Sequence, residues 1–146
     1  MKKKYLVTGA AGFIGAALAK KLINEKHEVW TIDNLSTGVV ENLPDGIHFI
    51  EGNLQDEKII SALRKTKFEA ILHFAGQSSG EISFDDPVYD LRTNTESTLN
   101  LIKYGLRNDC RRFIYASSMS VYGDVKDEPI PESHSCKPLS FYGIGK

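Results

Sequence analysis

Glycines 9, 12 and 15 stand in the run Thr8-Gly9-Ala10-Ala11-Gly12-Phe13-Ile14-Gly15, directly after a short apolar stretch and directly before a segment of helical period. At that spacing each glycine has its own use. Gly9 lets the chain leave a strand in a tight turn, Gly12 lets backbone approach a bound group with no Cβ between, and Gly15 lets the helix press on the sheet. The free N–H groups that open the helix, at the positive end of its dipole, then face a pyrophosphate. Asp33, 18 residues past Gly15, ends the next apolar run, where a carboxylate accepts hydrogen bonds from ribose hydroxyls. Together these residues point to a bound dinucleotide. An acid at position 33 repels a 2′-phosphate and no arginine follows before Arg64, which favours NAD over NADP. Far along the chain, Tyr142 and Lys146 are four apart and in a helix share one face. Gly143 and Gly145 flank Ile144 there, and each costs a helix about 0.8–1.0 kcal/mol relative to alanine.

The elements that must hold these groups are visible in the periodicity. Runs rich in β-branched and aromatic residues at 4–8, 28–33, 47–51, 70–74 and 113–117 alternate with segments of helical period. That alternation predicts a parallel sheet with crossover helices, and with the glycine turn and its acid the expected fold is an α/β doubly wound sheet of Rossmann type, whose strand order would be 3-2-1-4-5. Phe13, Ile14, Ala17, Leu18, Leu22 and Ile23 give the first helix one apolar face. Asp56 is placed to cap a helix over 57–65 with Ile59, Ile60 and Leu63 inward, and a longer helix is predicted from Pro87 to Leu106, drawing apolar contacts from Leu91, Leu99, Leu101 and Ile102. No element is predicted between the fourth strand and Pro87. The proline-bearing stretch 124–138 reads as a loop over the sheet's edge.

Bulk properties narrow the class. The 146 residues carry 18 Lys+Arg against 19 Asp+Glu, and this near-neutral balance offers no basic face for nucleic acid. With 41% hydrophobic residues the chain can build a core, which argues against disorder. Cys110 and Cys136 form no CxxC pair, so neither a disulfide scaffold nor a metal site is expected, and they read as reduced thiols of a cytoplasmic protein. Lys2, Lys3 and Lys4 before an uncharged stretch imitate a secretory leader, but three glycines interrupt that stretch. Fifteen uncharged residues, from Tyr5 to Ala19, are also too few to span a bilayer, which needs about 20, so no membrane partner is expected.

Seven motifs in order then carry a resemblance: TGAAGFIG at 8–15, DNLSTG at 33–38, GNLQD at 52–56, HFAGQSS at 73–79, NTESTLNLI at 94–102, YASSMSVYG at 115–123 and YGIGK at 142–146. Over the whole chain the sequence resembles the extended short-chain dehydrogenase/reductase superfamily, and within it the NAD-dependent epimerase/dehydratase family, especially its nucleotide-sugar epimerases. The resemblance implies that Phe13 and Ile14 line the pyrophosphate turn. It puts Asp33 and Asn34 at the adenosine ribose, with Ser36, Thr37 and Gly38 completing that loop, and Asn53 and Leu54 at adenine. Phe74, Ala75 and Gly76 would follow the cofactor's middle, and Asn94 its nicotinamide half. Asn53 replaces the family's common aspartate; its amide oxygen can still accept from the adenine amino group, with weaker binding. His73, ending an apolar strand, reads as a packed histidine, and Gln77 with Ser78 leaves the substrate preference open.

The same resemblance makes Tyr142 a base that takes a proton from a sugar hydroxyl while hydride leaves the same carbon, with Lys146 supporting the phenolate and Ser118 hydrogen-bonding the sugar oxygen. A free tyrosine titrates near 10, so acting near pH 7 asks for about three units, roughly 4 kcal/mol, from nearby positive charge. Reversible oxidation then inverts the carbon, because the flat ketone takes hydride back on its other face. Ser118-Met119-Ser120 lacks the Thr-Asp-Glu run of the related dehydratases, which disfavours elimination. The expected substrate is a nucleotide-diphosphate sugar, and a homodimer is a compatible assembly. Because members of the family generally continue well beyond this length, residues 1–146 are expected to be an NAD-binding domain, incomplete at its C-terminal end and without the C-terminal substrate domain. An NADP-dependent reductase of the same superfamily and a non-catalytic dinucleotide-binding module are the competing readings.

Overall fold

A computed structural model describes residues 1–126 and 129–146. Five strands, β1 (Lys4–Thr8), β2 (Glu28–Asp33), β3 (His48–Glu51), β4 (Ala70–His73) and β5 (Phe113–Tyr115), form one parallel sheet in the order β3-β2-β1-β4-β5. The expected topology is observed, with Ile47, Phe74, Ala116 and Ser117 falling just outside the strands. Alternation along the central strands splits the core into two faces. Leu6, Ile32 and Ile71 pack with Leu63, Phe68, Leu101 and Tyr104 on one side; Val7, Val29, Ala70 and Leu72 pack with Ala19 and Leu22 on the other. A parallel sheet covered on both faces needs strands apolar at consecutive positions, and β1 and β4 supply them.

Helix α1 (Phe13–Asn24) covers the second face. Its buried stripe is Gly15, Ala19 and Leu22, whereas Phe13, Ile14 and Ala17, expected on the inward side, are exposed. The period is helical as expected, but the face that meets the sheet is offset from the expected one, since periodicity does not say which residues the sheet approaches. On the first face, α2 (Glu57–Ala62) starts at Asp56, whose carboxylate accepts the Lys58 N–H at 2.8 Å as a capping residue should. It ends three residues before the expected limit, and Arg64 turns the chain with φ 53°.

Two short helices, α3 (Gly80–Asp85) and α4 (Pro87–Asp90), precede a π-helical segment (Leu91–Glu96) that runs into α5 (Ser97–Arg107). Asp90, Leu91, Glu96 and Ser97 all keep right-handed helical backbone, so the predicted long helix is present with its bonding widened in the middle. Of its four expected apolar contacts only Leu101 is buried; Leu91, Leu99 and Ile102 face outward. Helix α3 escaped the periodicity because its buried residue is Ser83, while Ile82 and Phe84 are exposed. Beyond β5 come a 3-10 turn (Met119–Val121) and α6 (Phe141–Gly145). The described residues between 124 and 138 lack regular structure, as expected, and Asp127 and Glu128 lie outside the described residues. Among the described residues no helix is long and apolar enough to cross a membrane.

Candidate functional site

A cleft of about 390 Å³ opens at the carboxyl ends of β1, β2 and β4, where neighbouring strands β1 and β4 send their chains in opposite directions. Its walls include Gly9, Gly12, Asp33, Asn34, Ser36, Thr37, Gly38, Asn53, Leu54, Phe74, Ala75 and Gly76, all expected from the sequence. The three glycines of the first turn differ in what surrounds them. Gly9 has φ +71°, a left-handed conformation that glycine adopts without steric cost. At Gly12 a Cβ would meet only the Gly9 carbonyl oxygen at 3.4 Å, so this backbone is open toward the cleft. At Gly15 a Cβ would lie 2.2 Å from the Gly9 oxygen and 2.8 Å from Ala10 Cα, so the lack of one lets the start of α1 close on the turn that leaves β1.

Asp33 closes the turn. Its Oδ2 accepts the Ala11 N–H and its Oδ1 the Leu35 N–H, both at 2.9 Å, and each oxygen keeps a lone pair for a further donor. The loop after it is strapped to the same turn. The Ala11 carbonyl accepts from Asn42 Nδ2 at 2.7 Å and from the Val39 N–H at 3.3 Å, and a Cβ on Gly38 would strike Ala11 at 2.7 Å. Asn34 accepts the Ser36 N–H at 3.1 Å and donates to Asn53 Oδ1 at 2.7 Å. The oxygen expected to meet adenine is thus partly engaged by Asn34.

Phe13 and Ile14 stand 92% and 61% exposed in the first turn of α1, outside the cleft walls. Asn94 lies just beneath the cleft, buried in the π-helical segment. Its Nδ2 donates to the Gln77 carbonyl at 3.1 Å and to Asp90 Oδ1 at 3.0 Å, while its Oδ1 has no partner among the described residues. That oxygen lies 2.4 Å from where a Cβ on Gly76 would sit, and Lys146 Nζ lies 3.2 Å from the same point. Gly76 is therefore the junction between the cleft and the far end of the chain.

Helix α6 brings Tyr142 and Lys146 together as their spacing required. Lys146 Nζ is 5.6 Å from the Tyr142 ring centroid and 5.2 Å from that of Tyr115, a neighbour to which the sequence assigns no role. Burial pushes the Lys146 ammonium below its ordinary range, and the negative charge of Asp90 opposes that shift. Burial likewise pushes Tyr115 upward. The Ser140 hydroxyl caps α6 by accepting the Gly143 N–H at 3.0 Å. Gly143 has a packing reason to be glycine: a Cβ would strike the Ser120 carbonyl oxygen at 2.6 Å, so its absence lets α6 seat on the Met119–Val121 turn. Ser118 opens that turn, its Oγ accepting the Ser120 N–H at 3.2 Å.

His73 is a packed histidine, 1% exposed. Thr98 Oγ1 donates to the Asn94 carbonyl at 2.6 Å, so toward His73 Nε2, 3.0 Å away, it can only accept. The ring is then protonated on Nε2, and Nδ1 accepts from Thr8 Oγ1 at 2.7 Å. Burial, with a smaller contribution from Lys146, pushes its pKa down to about 3. Wall residues outside the expected set include Gly52, Gln55, Ser79, Ile82, Tyr89, Thr93 and Ser97. Several belong to α3, α4 and the π-helical segment, whose placement no local pattern announces.

The exposed edge of Gly12, the spare acceptors of Asp33 and the unpartnered Asn94 oxygen fit a dinucleotide. A model of the NAD dependent epimerase/dehydratase family matches residues 5–146. A UDP-glucose 4-epimerase of Mycolicibacterium smegmatis is 37% identical over 147 residues, covering 97% of this chain and 47% of its own length. The crystal structure of a UDP-glucose 4-epimerase from Thermotoga maritima, solved with UDP-glucose, superposes with a TM-score of 0.93 at 38% identity, over 98% of this chain and 47% of that one. A Thermus thermophilus UDP-glucose 4-epimerase solved with NAD gives 0.91 at 34% identity, over 98% and 47%. The chain spans about half the length of these relatives.

Proposed function

Because the chain belongs to the NAD dependent epimerase/dehydratase family, we propose that it is the NAD-binding part of a nucleotide-sugar epimerase. The observation that carries this reading is the junction at Gly76, where the cleft behind Asp33 meets the Lys146 ammonium. NAD, when bound, supplies a reversible acceptor for the hydride of a sugar carbon. Glycines 9 and 12 and the opening N–H groups of α1 hold the pyrophosphate, and Asp33 takes the adenosine ribose hydroxyls and turns away a 2′-phosphate. Asn53 and Leu54 border adenine, and Asn94 presents its free oxygen at the nicotinamide end. Tyr142, as the phenolate that Lys146 stabilises, takes the proton from the sugar hydroxyl and becomes a neutral phenol, and Ser118 hydrogen-bonds the same sugar oxygen. After the sugar has turned over, the hydride returns to the other face of the same carbon and Tyr142 gives the proton back to the oxygen, which completes the inversion.

The reading is supported by the Tyr142–Lys146 pairing on α6 and by relatives whose names specify UDP-glucose 4-epimerase. Its test is a calorimetric titration of the chain with NAD and NADP, followed by an epimerisation assay with UDP-glucose in the chain extended to the length of its relatives. NAD binds more tightly than NADP, and Tyr142→Phe abolishes turnover without displacing NAD. Preference for NADP, or undiminished turnover in Tyr142→Phe, would overturn it.

A further inference from the structure

We propose that Asp90 is a positioning residue of this site, whose carboxylate locks the Asn94 amide with its oxygen toward Gly76 and places a negative charge behind Lys146. The inference rests on the cofactor reading above and names a residue that neither the glycine turn nor the Tyr142–Lys146 pair requires. Asp90 ends α4 and is 1% exposed, an unusual setting for a carboxylate. Its Oδ1 accepts from Gln77 Nε2 at 2.8 Å and from Asn94 Nδ2 at 3.0 Å. Among the described residues no lysine, arginine or histidine lies within ion-pair distance of it. A buried charge held only by amides is costly, and nearby positive charge offsets that cost.

The amide orientations follow from donor counting. Both partners of Asn94 Nδ2, the Gln77 carbonyl and Asp90 Oδ1, can only accept, so the nitrogen must face them and Oδ1 must face Gly76. Gln77 is oriented in the same way: its Nε2 donates to the Ser79 carbonyl and to Asp90, and its Oε1 accepts the Ser79 N–H. Removing the Asp90 acceptor leaves the Asn94 amide held by one bond and free to turn its nitrogen toward the cleft. Lys146 sits across the same gap. The point 3.2 Å from its Nζ is 2.4 Å from Asn94 Oδ1, and Asp90 Oδ2 is 3.5 Å from where a Cβ on the adjoining Gly145 would sit. The titratable groups facing Lys146 are Asp90 on α4, Tyr115 on β5, Tyr142 on α6 and the neutral His73 on β4.

The test compares the unmodified chain with Asp90→Asn, which keeps an acceptor oxygen but not the charge, and Asp90→Ala, which keeps neither. The Lys146 side chain is titrated by NMR without ligand, its signal assigned from Lys146→Arg, with the Tyr115 and Tyr142 ring carbons followed so that a phenolate's effect is separable. The expected result is a Lys146 midpoint about one unit lower in Asp90→Asn. Calorimetry then reads NAD affinity about tenfold weaker in Asp90→Ala and within about threefold of the unmodified chain in Asp90→Asn. An unmoved Lys146 midpoint overturns the electrostatic half, and unweakened NAD binding by folded Asp90→Ala overturns the positioning half. If Asp90→Ala does not fold, Asp90→Asn decides both halves, its Lys146 midpoint the electrostatic one, while NAD binding weakened beyond about threefold despite the retained acceptor overturns the positioning one. Absence of NAD binding in the unmodified chain is instead failure of the cofactor reading, and the ligand-free titration still judges Asp90.

Discussion

Asp33 is bonded to Ala11 across the floor of the cleft, its Oδ2 accepting the buried N–H at 2.9 Å while Oδ1 accepts that of Leu35. One carboxylate therefore both closes the glycine turn and faces the proposed ligand. The two roles make separate, measurable contributions.

Asp33→Asn supplies only one acceptor oxygen where two N–H groups require one each, leaving a donor unpaired at a cost of about 1–3 kcal/mol. Chemical denaturation reads that loss. Competitive titration reads the other: NAD binding weakens at least about tenfold, and preference over NADP narrows because the charge that repels the 2′-phosphate is gone. A variant with unchanged preference would show that Asp33 does not discriminate.

Substitutions at Gly12 and Gly15 separate fold from ligand in the glycine turn. Gly15→Ala forces a Cβ to within 2.2 Å of the Gly9 oxygen, and overpacking of this kind costs about 1–3 kcal/mol. Gly12→Ala meets nothing closer than 3.4 Å, so stability changes by less than about 1 kcal/mol while NAD affinity falls. Urea melts with NAD titrations on both variants check this, and the opposite ranking would contradict it.

In α6 the flanking glycines are not equivalent. Gly145→Ser puts a Cβ 3.3 Å from the rotatable Thr95 hydroxyl and 3.5 Å from Asp90 Oδ2, and recovers about 0.5 kcal/mol of helix propensity, so thermal stability rises. Gly143→Ala drives a Cβ into the Ser120 carbonyl oxygen at 2.6 Å and lowers it. Thermal unfolding of the two variants gives shifts of opposite sign.

His73 makes stability depend on pH in one direction. Its folded pKa of about 3 lies below the ordinary value of 6.5, so between these limits the unfolded chain binds the extra proton. The contribution is fully present above pH 6.5 and is lost as pH falls toward 3, at up to about 1.4 kcal/mol per unit. Urea unfolding from pH 7 to 4 shows a shallower slope in His73→Gln than in the unmodified chain. Equal slopes would mean that His73 titrates normally.

Much of the fold was legible because it is written in local pattern. The five apolar runs and the glycine turn are each set by a few adjacent residues, and they placed all five strands and the cleft. The inward face of α1 was misread at Phe13, Ile14 and Ala17, since periodicity reports that a helix has an apolar side but not which residues the sheet approaches. Leu91, Leu99 and Ile102 misled for the same reason. Helix α3 stayed hidden because a serine is its buried residue.

By itself the sequence determined a parallel α/β sheet, a dinucleotide-type turn with its acid at Asp33, and a Tyr142–Lys146 pair on one helical face. Strand period, glycine sterics and i to i+4 spacing act within a few residues. Only the tertiary structure decided which groups meet: Ala11 with Asp33, Asn34 with Asn53, Thr8 and Thr98 with His73, Gln77 and Asn94 with Asp90, and Tyr115 with Lys146. These partners come from different elements, apart from the helical Asp90–Asn94 contact. They are chosen by sheet register and by how closely the crossover helices pack, quantities that no local stretch of residues encodes.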